Sequence, residues 1–153
     1  DIKKIHKKNY KYFIAVGDNK KRKLIFESLK NQYDFINLYH PSSILSKNIS
    51  LGKNLLINAG AIINTKVSIA DNSIINTGSI IDHDVSIGAN SHICPGVKIA
   101  GSAIVKNDVF IGIGASIINN IKIGKNVTIG AGSVVINHIS NNLKVAGIPA
   151  KPI

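Results

Sequence analysis

Among the side chains of this 153-residue chain, five histidines and one cysteine are the ones suited to chemistry near neutral pH. One of them, His83, is followed directly by Asp84. An unperturbed imidazole titrates close to neutrality, so it can take a proton from a nucleophile and hand it on to a leaving group. A carboxylate beside it orients the ring and favours the imidazolium as it forms. A second histidine, His92, follows in the next stretch of chain. His6, His40 and His138 have no acidic neighbour in sequence and read as solvated turn residues. Cys94 stands alone, so no internal disulfide forms. It reads as a small buried residue in a reducing compartment.

The elements that must hold these residues come from a repeat. Every sixth residue from Leu45 to Val135 is Leu, Ile or Val, 16 positions without a break. A second series at the same period, Ser43 to Ser133, is small or aliphatic throughout. The two series are offset by two, and a period of six suits strands, whose alternate residues face one side, rather than a helix. Gly follows the large residue at 52, 88, 112, 124 and 130, and Asn or Asp follows it at 58, 64, 76 and 82. Both kinds of residue tolerate positive φ and mark corners. Each hexad is one short strand and one corner. It buries its face only by stacking on neighbours, as in a β-solenoid.

The flanks have no such register. Tyr12–Val16 reads as a buried strand, Gly17-Asp18-Asn19 as a turn, and 20–31 as an amphipathic helix with Leu24, Ile25 and Leu29 inward. Phe35–Tyr39 reads as a second strand. The unit 1–40 is therefore a small, incomplete α/β domain, 41–137 the solenoid, and 138–153 an extended Pro-punctuated tail. No Met is present, and the Gly-rich first turn of a nucleotide-binding domain is absent. Asp1 is therefore expected to lie downstream of the natural start.

The hexads resemble the hexapeptide-repeat acyltransferases. That resemblance implies an all-β left-handed parallel β-helix of triangular section, here of about five coils. Further features are Phe13-Ile14-Ala15-Val16-Gly17-Asp18-Asn19 before Arg22-Lys23, Ile75-Asn76-Thr77, Ile81-Asp82-His83-Asp84, Ser91-His92, Ala100-Gly101 and the closing Val145-Ala146-Gly147-Ile148-Pro149-Ala150. They are similar to the sialic acid O-acetyltransferase family and to the related N-acetyltransferases of UDP-linked 4-amino sugars. The resemblance implies acetyl-CoA as co-substrate and a homotrimer in glycan biosynthesis with its sites between subunits; no metal is expected, and the lone cysteine suits a cytoplasmic location. The resemblance implies His83 as general base supported by Asp84. It further implies coenzyme contact at His92, Gly101, Ile113 and Ala131, and nucleotide-sugar contact at Gly17 and Asn76. Acetylation of an amine and O-acetylation of a sialic acid use the same base, so both remain open.

Coil arithmetic bears on this site. With three hexads to a coil, His83 and His92 are half a coil apart. They fall on opposite sides of one prism and meet only across two subunits. Gly101 follows His83 in one corner column, and Ile113 and Ala131 follow Pro95 in another. Small residues at 101 and 131 are expected to leave room for the pantetheine arm.

Composition excludes other classes. No apolar run reaches the length of a membrane span. The net charge of +11 is densest in residues 1–40, with ten basic against four acidic residues. It suits a phosphate-bearing substrate or simply a solvated surface. With eight aromatics in the chain, stacking platforms for nucleic acid are scarce. A zinc site of the γ-carbonic anhydrase kind needs three histidines at an interface, and only His83 and His92 lie centrally on the solenoid.

Overall fold

A computed structural model describes residues 10–153. His6 and the Lys3-Lys4 and Lys7-Lys8 pairs lie outside the described residues. The six-residue register dictates the core. From Leu55 onward, both inward series are buried through Val135, large aliphatics alternating with Ala, Val and Ser. Each strand is only two residues long and pairs in parallel with the strand one coil later, as in Leu56, Ile74, His92, Phe110 and Thr128. Three sheets result. The first runs from Leu38–Tyr39 to Lys151–Pro152, the second from Ile44–Leu45 to Val134–Val135, and the third from Ser50–Leu51 to Lys122–Ile123. They are the faces of a left-handed parallel β-helix of hexapeptide repeats with about six turns, where five were expected.

The additional rungs lie outside the unbroken hexads. Leu38–Tyr39 pairs with Leu56–Ile57, and Lys144–Ala146 pairs with Thr128–Ile129. After Val135 the register slips. Ile139 bridges Ile123, and Val145 stacks on Ile129. Both steps are shorter than the coil step that relates Leu56 to Ile74. Lys151–Pro152 then returns antiparallel along Val145 and Ala146.

The corners differ from expectation in one respect. Left-handed φ falls on every sixth residue from Asn54 to Gly132, two places after the glycines at 52, 88, 112, 124 and 130 and after the Asn or Asp at 58, 64, 76 and 82. Those glycines serve close approach instead. A Cβ on Gly112 would lie 2.6 Å from the amide nitrogen of Ala131, and one on Gly124 2.5 Å from that of Asn141. The corner between the first and second sheets is left-handed glycine at 60, 78, 96, 114 and 132. Beside the third sheet the same position holds Asn54, Asn72 and Asn90, which form a buried amide ladder with 2.7 Å bonds.

The N-terminal unit docks on that ladder. Ile14 N–H donates to Asn54 Oδ1 at 2.8 Å. The expected strands at 12–16 and 35–39 reduce to one parallel bridge between Tyr12 and Phe35, because Leu38–Tyr39 is taken into the solenoid. The helix spans Asn19–Leu29, capped by the Asp18 carboxylate on the Lys21 amide. Leu24 is 72% exposed, contrary to expectation; the inward face carries Arg22 and Phe26, with Ile25 and Leu29 partly buried. Those four positions follow the helical stripe, whereas Leu24 lies off it.

Candidate active site

His83 occupies the corner between the second and third sheets, just after the strand Ile80–Ile81. Asp82 fixes the start of that corner by accepting the His83 amide at 2.8 Å and Asn64 Nδ2 at 3.0 Å. These hydrogen bonds hold its own carboxyl below the usual range, the His83 amide first. Asp84 is left-handed, with φ 59°. That turn brings its Oδ2 to 2.8 Å from His83 Nδ1, while Lys66 Nζ lies 4.0 Å from Oδ1. The pair is half-exposed, with the carboxylate against Nδ1 and Nε2 on the other side of the ring. Gly101 lies one coil on, against the His83 ring. The room its missing side chain leaves is occupied by that ring.

Three other expected residues gather on the first sheet. His92 projects from the strand His92–Ile93, one coil after Ile74. Its Nε2 lies 3.2 Å from Asn76 Nδ2, and its ring meets Phe110 edge-on at 5.5 Å. Gly17 from the N-terminal turn closes the same cavity, about 230 Å³. A side chain at Gly17 would meet nothing within 4 Å, and its φ is not left-handed, so the residue leaves open space rather than relieving strain. A larger cavity of about 660 Å³ adjoins it, lined by Gly17, Lys20, Lys23, Phe110, Lys125 and Thr128 among others. The family resemblance assigns His92 and Asn76 to different ligands; in the structure they touch.

Ile113 and Ala131 stand on the corner between the first and second sheets, with Ile113 57% exposed. A Cβ on Gly96, Gly114 or Gly132 in the same corner would meet nothing within 4 Å, so this edge is bare. His83 sits at the corner opposite the first sheet. The His83–Asp84 pair and the His92–Asn76 pair therefore face different directions. Among the described residues, no three His, Cys, Asp or Glu side chains gather as a metal site would require. No helix among them is long and apolar enough to cross a membrane. Cys94 is buried and its thiol is pushed up to about 11 by burial.

Residues 102–137 match the model of the bacterial transferase hexapeptide, six repeats. Perosamine N-acetyltransferase from Caulobacter crescentus, solved as a histidine-to-asparagine variant with CoA and GDP-perosamine, is 33% identical. The match covers 95% of this chain and 70% of that one, with a TM-score of 0.92. This chain belongs to the hexapeptide-repeat acetyltransferases. The acetyltransferase domain of PglB from Neisseria gonorrhoeae FA1090 is 32% identical, with a TM-score of 0.91 over 92% of this chain and 69% of that one; it has also been solved with acetyl coenzyme A. WeeI from Acinetobacter baumannii AYE, at 17% identity and a TM-score of 0.66, shares the fold. No curated protein matches the sequence.

In this acetyltransferase, sequence reasoning missed the part played by Arg22. Its guanidinium is buried and donates to the carbonyls of Val16, Gly17 and Asn72 at 3.0–3.1 Å and to Asn19 Oδ1 at 2.7 Å. It thereby holds the Gly17 turn over His92. Burial, and then the Arg22 charge, lower the His92 pKa, while the Gly17 carbonyl opposes them. The folded state thus binds fewer protons than the unfolded chain once pH drops below the ordinary histidine value. Stability is fully present above that value and declines as pH falls through and below it. His92→Gln is expected to remove this acid sensitivity, measured as a smaller fall in melting temperature between about pH 7 and pH 5.

Proposed function

We propose that this acetyltransferase moves the acetyl group of acetyl-CoA directly to the amino group of a nucleotide-linked amino sugar, of the UDP-4-amino-sugar type, with His83 as general base. The observation that carries the reading is the His83–Asp84 pair at 2.8 Å on a solenoid whose relatives were solved with CoA and an amino-sugar nucleotide. The amine lone pair attacks the thioester carbonyl. His83 Nε2 takes the proton released from nitrogen as the tetrahedral intermediate forms. Collapse breaks the C–S bond, and the leaving thiolate recovers that proton. Asp84 stabilises the imidazolium between these steps. No enzyme nucleophile is required, consistent with a buried, poorly ionised Cys94 thiol.

The His83 and His92 pairs are half-sites completed in a homotrimer, where His83 of one subunit faces the bare corner of the next. Pantetheine runs along Ile113 and Ala131 toward His92, with Gly101 near the thioester. Gly17 and Asn76 face the sugar nucleotide, and the lysines of the adjoining cavity suit its phosphates. A diffusible acyl donor and a lone thiol fit a cytoplasmic location. The test is a panel of UDP- and GDP-linked amino sugars, the matching free sugars and sialic acid, each with acetyl-CoA and followed by free thiol. A nucleotide-linked amino sugar is expected to exceed the free sugars by about 10²-fold or more in kcat/KM, since remote binding energy is used at the reacting centre. Preference for the sialic acid hydroxyl would overturn the reading.

A further inference from the structure

Gly101 stands one full coil after His83, at the same corner, and the Ser102 amide donates to the His83 carbonyl at 3.0 Å. A Cβ built on Gly101 would lie 2.6 Å from His83 Cε1, 2.7 Å from Nε2 and 3.2 Å from Nδ1. The first two approaches are far inside van der Waals contact and the third is tight. The imidazole therefore fills the volume that any other residue's side chain would need. Backbone conformation does not call for glycine here. The left-handed residue of this corner is Ser102, with φ 59°, and Gly101 itself is outside that region. Elsewhere in the column the equivalent positions carry Thr65, Asn119 and Asn137. What sets position 101 apart is the histidine ring lying against it.

We propose that Gly101 is a positioning residue for His83. Its bare Cα lets the ring lie across the next coil while Asp84 holds Nδ1, which fixes the direction of Nε2. This rests on the reading of His83 as the base. A methyl group at 101 pushes the ring outward and weakens its contact with Asp84. Misplacement of a reacting group by about 1 Å costs on the order of 10²-fold in rate.

The test compares Gly101→Ala with Gly88→Ala in the purified full chain. A Cβ on Gly88 would clash with the Asn107 amide nitrogen at 2.6 Å, so it strains a corner without touching His83. Per folded molecule, Gly101→Ala is expected to lower kcat by about 10- to 100-fold. It should leave KM for acetyl-CoA within about twofold, and move both the acidic limb of the pH–rate profile and the NMR titration of the His83 ring. Gly88→Ala should do none of this. In a His83→Ala background the Gly101 change should add less than about twofold, because the two residues act as a unit. If Gly101→Ala fails to fold alone, the double variant should regain the melting temperature of His83→Ala, since the clashing ring is gone. Wild-type kcat with an unmoved His83 titration would overturn the proposal. So would a raised acetyl-CoA KM at constant kcat, or equal losses in both backgrounds. Full activity in His83→Ala would instead sink the general-base reading, while the ring's NMR signal in Gly101→Ala still reports the contact.

Discussion

Replacing His83 with alanine is expected to lower kcat for acetyl transfer by about 10²–10⁴-fold, the range a positioned general base contributes. The melting temperature should hardly move. The His83 side chain is 53% exposed, and among the described residues its side-chain hydrogen bond goes to the neighbouring Asp84. The corner is built by backbone bonds and by Asp82, neither of which needs the imidazole. Loss of activity and retention of fold are therefore separable. Steady-state thiol release together with a thermal melt of the same sample measures both. Activity within tenfold of the parent protein would remove His83 from the base role.

Arg22→Met should have the largest structural effect. Methionine keeps much of the volume and none of the donors. The Asn72 carbonyl loses its partner in the buried seam between the N-terminal unit and the Asn ladder, and the Val16 and Gly17 carbonyls lose theirs at its edge. Asn72 is fully buried, whereas Val16 is half-buried and Gly17 exposed; one buried acceptor left unmatched costs about 1–3 kcal/mol, so docking should weaken by about that amount. Burial lowers the guanidinium pKa to about 10, which still leaves it charged at neutral pH. Arg22→Lys should also fail, because one ammonium cannot supply a planar fork to several carbonyls. The aliphatic core of the solenoid does not include Arg22 and should persist. Amide hydrogen exchange is expected to accelerate across Asn19–Leu29 and not in the central rungs. Arg22 holds the Gly17 turn in place, so on the proposed sugar contact at Gly17, KM for the sugar acceptor should rise more than KM for acetyl-CoA.

The solenoid is legible in the sequence because its signal is repeated: an even period, two inward series and 16 consecutive aliphatic positions. Legibility ends where repetition does. The last coil closes early, so Ile139 and Val145 fall out of register and read as tail. Corner glycines invite an argument from φ, but a glycine needed for close packing looks the same in sequence as one needed for a left-handed turn. Arg22 is hidden because hydropathy marks a charged residue as outward, and its burial depends on carbonyls from separate stretches of chain. His83 and Asp84 can be found because they are adjacent. That Gly101 falls in the His83 column follows from the coil step, but its use does not, since small size suits a ligand's passage and a side chain's resting place alike. Asn76 and His92 look like contacts for different ligands, and only the parallel pairing of neighbouring coils shows that they touch.

The constant coil length makes the chain behave like text read in a fixed frame. Each coil lengthens the prism by ~4.8 Å and returns every column to its place. Excision of residues 103–120 would join Ser102 to Ile121 in phase and leave Gly101 against His83, while removing Phe110 and Ile113. Insertion of a single residue between 85 and 100 would instead carry Ala100 to the site of the ring and turn later inward side chains to solvent. Length variation in such a protein is thus quantised: a whole coil can come or go without shifting the His83 corner, although it takes its own side chains with it, while one extra residue disturbs both that corner and the core.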